Sequence, residues 1–272
     1  MIQPTPVPTP VTQGQRLREF QTGGFSLTET VHARGMVLAR HAHRHACINF
    51  VLAGVYDERI EGVEQQHGPL GLVFKPALAE HANRFESSGA RCLLVELTDP
   101  DLVDPRLELA DPLESRHPRA AAVALALWHE LAAPDDVSAL SITERSLELY
   151  ALVVGGRAVG PLESRSPRVK RARAILHEDP CARWTLTRLA AAVELHPSHL
   201  ARAFRARYGA TIGGYLRLLR VSEAGRRLAF TDDAVASIAL ALGFADQSHL
   251  TRAFRQAVGV TPAAFRRALA SG

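Results

Sequence analysis

The chain has 272 residues, 47% of them hydrophobic and 22% charged, with 32 Lys and Arg against 28 Asp and Glu. That is globular composition and enough length for about two domains, and no run approaches the roughly 18 apolar residues of a membrane span. Residues 1–160 carry 14 basic and 20 acidic side chains, a net of −6, whereas residues 161–272 carry 18 and 8, a net of +10. The balance points to nucleic acid as a partner of the second part alone.

The first ten residues, with Pro at 4, 6, 8 and 10, lack the basic and apolar regions of a signal peptide. Residues 1–15 read as a Pro-rich disordered tail. Three widely spaced cysteines (Cys47, Cys92, Cys181) do not form a disulfide framework, so a reducing cytoplasm without membrane contact is expected. Cys181, beside Pro180 at a helix end, reads as packing.

Residues 16–117 read as a β domain. Short apolar runs such as 48–52, 72–74 and 92–97 alternate with Gly, Pro and charged turns, the pattern of a sandwich or barrel. Six of the 12 histidines lie between His32 and His81. His41 and His43, on or beside a strand, share a face, a geometry that suits two imidazoles on one metal. Cys47 stays on that face if the strand continues without a bulge, and His81 would come from a neighbouring strand. His45 points to the opposite face, and His67, beside a turn, is given no role. Asp57-Glu58 and the pair Asp99 and Asp101 are carboxylates without an evident partner.

From Pro118 the period becomes helical. Residues 120–133 and 141–154 predict an antiparallel helix pair within a supporting segment, 118–160, with apolar stripes at Val123, Leu127 and Leu131 and at Leu147, Tyr150 and Val154. Residues 155–167 read as a linker. Residues 161–272 read as helical throughout. The expected fold class is therefore α+β in two domains.

The most informative feature is a repeat at an offset of 50. Residues 198–205 (SHLARAFR), followed by Gly209 and Thr211, return as residues 248–255 (SHLTRAFR), followed by Gly259 and Thr261. Each copy follows a short apolar helix and a tight turn, which predicts two helix-turn-helix units. Pro197 starts one second helix and Asp246 caps the other. Leu200 with Phe204, and Leu250 with Phe254, are i,i+4 pairs that pack inward. Ser198, Ala201, Arg202 and Arg205 form the outward face of one, and Gln247, Ser248, Thr251, Arg252 and Arg255 that of the other. Arg can read guanine and Gln adenine through paired hydrogen bonds, and the major groove admits one such helix. His199 and His249, at equivalent positions, are assigned to phosphate contact or helix packing. Residues 212–229 predict one helix between the units.

The segment from about Pro167 to Arg267 resembles the DNA-binding domain of AraC/XylS-type transcriptional regulators, most specifically at residues 239–255 and at Gly259-Val260-Thr261-Pro262. The resemblance implies a seven-helix domain that binds double-stranded promoter DNA and activates transcription by touching RNA polymerase. It also places base reading at Ser198, Ala201 and Arg202, then at Gln247, Ser248, Thr251 and Arg252, and implies a homodimer through the 118–154 helices. Gly35, His41, His43, position 47 and Gly54 resemble the first motif of the cupin barrel in spacing, and Pro76 and His81 part of the second. Three departures stand out: Cys47 replaces a Glu, Leu78 a Gly and Phe85 an Asn.

Three histidines and a thiolate would make a closed tetrahedral site of the kind Zn²⁺ or another soft divalent metal favours. The same side chains suit a metal-free pocket for an organic effector equally well, and no binding role at all is the weaker third alternative. The sequence thus predicts a transcriptional regulator whose cupin-like domain senses a small-molecule or metal effector. The competing readings are a metal-dependent cupin enzyme with an accessory DNA-binding domain, which lacks the usual Glu and an evident general base, and a nucleoid-type protein that binds DNA without sequence choice.

Overall fold

A computed structural model describes residues 14–60, 62–85, 89–102, 112–115, 117–154 and 166–270. The chain folds as two compact units, residues 1–156 and 157–272. Nearly all of the expected Pro-rich tail and most of the expected linker lie outside the described residues. Among the described residues no helix is long and apolar enough to cross a membrane.

The first unit begins with strands β1 (Gln15–Gln21), β2 (Phe25–His32), β3 (Met36–His41), β4 (Ala46–Gly54) and β5 (Tyr56–Ile60). It continues with β6 (Val63–His67), β7 (Leu72–Lys75), β8 (His81–Phe85), β9 (Ala90–Leu97) and β10 (Leu113–Ser115). They form a six-stranded sheet, β1-β2-β9-β4-β7-β10, and a four-stranded sheet, β3-β8-β5-β6, with antiparallel pairing throughout. Helices α1 (Pro118–Ala132) and α2 (Ser138–Val154) follow.

Strand alternation divides the six-stranded sheet into two unlike faces. Leu27, Ile48, Phe50, Phe74, Leu93 and Val95, all fully buried, share one face with Glu29. The helices cover this face. The Trp128 indole donates to Glu29 Oε1 at 2.8 Å, and the Tyr150 hydroxyl lies 2.8 Å from the Ala46 carbonyl and 3.1 Å from that of Val95. The Glu29 carboxylate also accepts from Arg18 at 2.7 Å and Arg91 at 2.6 Å, so its buried charge is compensated. Val123, Leu127, Leu131, Tyr150 and Val154 are buried, so both expected stripes are largely used within this unit. The opposite face carries Thr28, Thr30, His32, Cys47, Asn49, Cys92 and Lys75, a polar set, and it lines the cavity described below.

The second unit comprises α3 (Pro167–Glu178), α4 (Leu186–Ala192), α5 (Pro197–Tyr208), α6 (Ile212–Phe230), α7 (Val235–Ala241), α8 (Gln247–Val258) and α9 (Pro262–Ala270). Its boundaries are written locally. Thr185, Thr211 and Asp246 accept from the backbone N–H groups of Arg188, Gly214 and His249 at 3.1, 3.1 and 2.7 Å, satisfying amides that the first helical turn leaves orphaned. Both α5 and α8 end on a glycine in the left-handed region, Gly209 at φ 66° and Gly259 at φ 99°, a conformation that costs any residue with a Cβ. The repeated Gly-x-Thr is therefore one helix stop followed by the next helix start. Leu176, Leu189, Leu200, Phe204 and Tyr215 pack α3–α6 together.

Candidate nucleic-acid interface and a histidine-lined cavity

In α5 and α8 the repeat extends from residue type to burial. Leu200, Ala203 and Phe204 are buried, as are Leu250, Ala253 and Phe254. Ser198, Arg202 and Arg205 are exposed, as are Gln247, Ser248, Arg252 and Arg255, with Ala201 and Thr251 half-buried at matching positions. All nine expected DNA-facing residues thus lie on two outward helix faces.

Two side chains on or beside these faces also make local contacts. The Ser198 hydroxyl lies 2.7 Å from His196 Nδ1, and His196 is the N-cap of α5, so this hydroxyl is engaged at the helix start. His249 packs edge-to-face on Phe244, with ring centroids 5.3 Å apart, which assigns it to helix packing. Four residues connect α4 to α5 and five connect α7 to α8. Both turns pass through the left-handed region, at Glu194 (φ 52°) in the first and Gly243 (φ 74°) in the second.

Sequence reasoning missed Arg220 on α6. Its guanidinium donates to the carbonyls of Pro180 at 2.7 Å, Ala182 at 3.1 Å and Gly243 at 2.9 Å. It thereby ties the segment before α4 to the turn before α8. No local pattern announces this, because the three acceptors are backbone groups brought together only by helix packing.

In the first unit, the ligating nitrogens of His41, His43 and His81 lie within 4.8 Å of one another. His41 ends β3 and pairs across the sheet with His81 on β8, while His43 stands in the turn before β4. Two of the imidazoles are oriented by a backbone carbonyl. Nδ1 of His41 faces the Ala39 carbonyl at 2.8 Å, and Nδ1 of His81 faces the Ala79 carbonyl at 2.9 Å. These contacts place the proton on Nδ1 and leave Nε2 with its lone pair. His43 Nδ1 lies 3.6 Å from Glu96. Carbonyl and carboxylate partners of this kind fix the tautomer of metal-binding histidines. His81 Nε2 is buried without a hydrogen-bond partner. Burial, with Lys75 next, pushes the His81 pKa down to about 2 and that of His32 to about 4, so both rings are neutral.

Cys47 does not join this group, which corrects the expected four-ligand set. The strand ends at His41 and the next begins at Ala46, so alternation cannot be carried from His43 to Cys47. Cys47 sits fully buried opposite Lys75 and Glu96. Burial pushes its thiol up to about 12, which keeps it protonated. The donor set is therefore three imidazoles, and the preference for soft metals loses its basis.

The cavity beside the histidines has a volume of about 430 Å³, mouth included, and is also lined by Asn49, Tyr56, Lys75 and Asn83. Glu58, which seemed unpartnered in the sequence, is buried and accepts from Lys75 Nζ and Asn83 Nδ2, both at 2.9 Å. His67, given no role, is buried 3.4 Å from the same carboxylate. Burial disfavours the charge on both Glu58 and Lys75, but their attraction and hydrogen bond, together with further neighbours such as His67 beside the carboxylate, outweigh it, lowering the carboxyl and raising the ammonium pKa. The signal for this polar interior lay in the period of two, in Thr28-x-Thr30-x-His32, Cys47-x-Asn49, Tyr56-x-Glu58 and His81-x-Asn83.

Residues 189–268 match the family model described as a helix-turn-helix domain. The chain is 27% identical over 234 residues to YobQ, an uncharacterized HTH-type transcriptional regulator of Bacillus subtilis, covering 85% of this chain and 90% of that protein. It is 34% identical over 101 residues to a putative AraC-like transcription regulator of Streptomyces antibioticus, covering 37% of this chain and 33% of that relative. Among solved structures, the DNA-binding domain of the global transcriptional factor AdpA in complex with a target DNA is 28% identical. That alignment covers 39% of this chain and 96% of that one, with a TM-score of 0.37.

Proposed function

From a chain that carries an AraC-type helix-turn-helix domain, we propose a sequence-specific transcriptional regulator controlled by an effector bound in its β-rich unit. The observation that carries this reading is the outward face of α5, reproduced in residue type and burial on α8. On this reading α4–α5 and α7–α8 are two helix-turn-helix units that enter successive major grooves, roughly 34 Å apart. Helix α6 has 19 residues. At 1.5 Å per residue it is about 28 Å long, suited to holding the two reading helices apart. The protein acts as an activator through contact with RNA polymerase. It works as a homodimer, for which the start of α2 offers Leu140 and the turn just before it Val137, 64% and 53% exposed.

The β-rich unit, on the same reading, is a cupin-like barrel that senses its effector at the histidine cluster. His41, His43 and His81 would hold a divalent ion. Three imidazoles suit zinc, copper, iron or nickel, and the ion would supply a fixed positive charge with coordination positions left over. Effector binding would then favour one conformation of the chain over another.

The test is Arg252→Ala. If Arg252 reads a base, binding to the preferred site weakens by about 1–3 kcal/mol and preference relaxes at one position. Equal weakening on every sequence makes Arg252 a phosphate contact instead. A wild-type protein that prefers no site over random DNA at moderate salt, where phosphate-only binding is weak, would refute sequence-specific regulation.

A further inference from the structure

We infer that the cavity beside the three histidines takes a small organic carboxylate, held jointly by a metal ion on His41, His43 and His81 and by hydrogen bonds from Lys75 and Tyr56. This rests on the metal reading above and goes beyond it by naming the chemistry of the effector.

Charge balance carries the first half of the inference. Lys75 and Glu58 are buried and cancel each other at 2.9 Å. Glu58 also lies 3.9 Å from His81 Nε2, and Glu96 lies 3.6 Å from His43. An imidazole binds a metal through its lone pair and so adds no charge, and a divalent ion then adds two positive charges, of which Glu96 offsets one. One positive charge is left in a site where uncompensated charge is costly, and a monoanion completes it. An anion alone would instead face the lone pairs of the three Nε2 atoms, so the carboxylate and the metal must bind cooperatively.

Unused donors carry the second half. Among the described residues, Lys75 Nζ gives one hydrogen bond, to Glu58, and two of its N–H groups have no acceptor. The Tyr56 hydroxyl accepts from Asn49 at 2.8 Å, and its own proton has no acceptor among the described residues. His32 Nδ1 is likewise buried without a partner. Lys75, Tyr56 and His32 line the same cavity as the histidines. Donors on one side and metal-binding lone pairs on another fit a carboxylate, with an oxygen for each. A neutral amide of the same shape fits neither the charge nor the donors.

The test uses the full chain and Co²⁺, whose visible absorption reports its ligands. Acetate is the probe and acetamide its neutral counterpart. The expected result is one Co²⁺ per chain, absorption bands that acetate shifts and acetamide does not, and Co²⁺ affinity raised about tenfold by saturating acetate, the reciprocal coupling of two linked sites. Tyr56→Phe, which changes no charge, should weaken acetate about tenfold while leaving Co²⁺ affinity without acetate within about threefold, the size of one lost hydrogen bond to a charged group. Lys75→Gln should weaken acetate in the same direction, and because it frees the buried Glu58 charge beside His81 it should also raise Co²⁺ affinity without acetate. The comparison of acetate with acetamide on the wild-type chain needs no variant to fold. If Co²⁺ binds but acetate and acetamide act alike, or both variants bind acetate as the wild type does, the carboxylate inference is overturned and the metal reading stands. If Co²⁺ does not bind one to one, or His81→Ala binds it equally well, the metal reading fails and takes the inference with it.

Discussion

Replacing Arg220 by Ala should loosen the second unit and uncouple α5 from α8. The substitution removes three hydrogen bonds, to the carbonyls of Pro180, Ala182 and Gly243. A hydrogen bond from a charged donor nets roughly 1.5–3 kcal/mol when buried. Arg220 is only partly buried, so about 1 kcal/mol for each is the better figure after allowing for solvent screening. The expected loss is thus about 2–4 kcal/mol in the unfolding free energy of the second unit. Urea unfolding followed at Trp184 reads it directly, because that indole donates to the Asp179 carbonyl at 2.9 Å, beside the Arg220 acceptors. Trp128, in the first unit, serves as the internal control. Arg220→Lys should recover only part of the loss, since an ammonium cannot reproduce the planar fork of a guanidinium. On DNA, affinity for a duplex with both half-sites should fall further than affinity for either half-site alone, because the clasp fixes the turn that orients α8. Unfolding within 0.5 kcal/mol of wild type, on the order of an ordinary surface substitution, would refute the clasp. So would proportional losses on all three duplexes.

Three further outcomes follow from the first unit. Leu78 stands in the left-handed region at φ 63° with its side chain 61% exposed, while its N–H donates to the His43 carbonyl at 2.8 Å. Leu78→Gly should therefore stabilise the unit by about 1 kcal/mol in thermal melts, and a lower melting temperature would contradict the strain. Tyr150→Phe leaves the Ala46 and Val95 carbonyls without their buried hydroxyl partner and should cost about 1–3 kcal/mol in urea titrations, with no cost arguing against the contact. The third concerns pH. Burial lowers the His32 pKa to about 4, so below 6.5 the unfolded chain takes up a proton that the folded chain refuses. The His32 contribution is thus complete above pH 6.5 and falls by about 2 kcal/mol on going to pH 5, and His81, lowered to about 2, adds a fall of about the same size. His32→Gln should remove about half of that dependence, and a wild-type melting temperature that stays constant from pH 7 to 5 would count against the buried neutral rings.

Helical features of the second unit were legible because their determinants lie within a turn or two of each other. The pairs Leu200–Phe204 and Leu250–Phe254 and the cap Asp246 are matters of local spacing, so a repeat of residues became a repeat of burial. Strand features were legible only while a strand lasted. The i,i+2 rule brought His41 and His43 together in expectation, and they do converge. The same rule carried Cys47 into the set and failed, because the chain leaves β3 at His41 and enters β4 at Ala46. Glu58 and His67 looked idle for a related reason. The partners of Glu58, which are Lys75, Asn83 and His67, meet it through sheet pairing and closure, which spacing along the sequence does not show.

By itself, then, the sequence determined two matching outward helix faces, their caps and stops, and the division of charge between an acidic and a basic part, since periodicity and composition are local properties. Tertiary structure alone decided which polar side chains share the cavity, that Cys47 stays a buried thiol, and that Arg220 spans three carbonyls. Those outcomes depend on register, sheet closure and helix packing, which join residues far apart in the chain and leave no spacing to read.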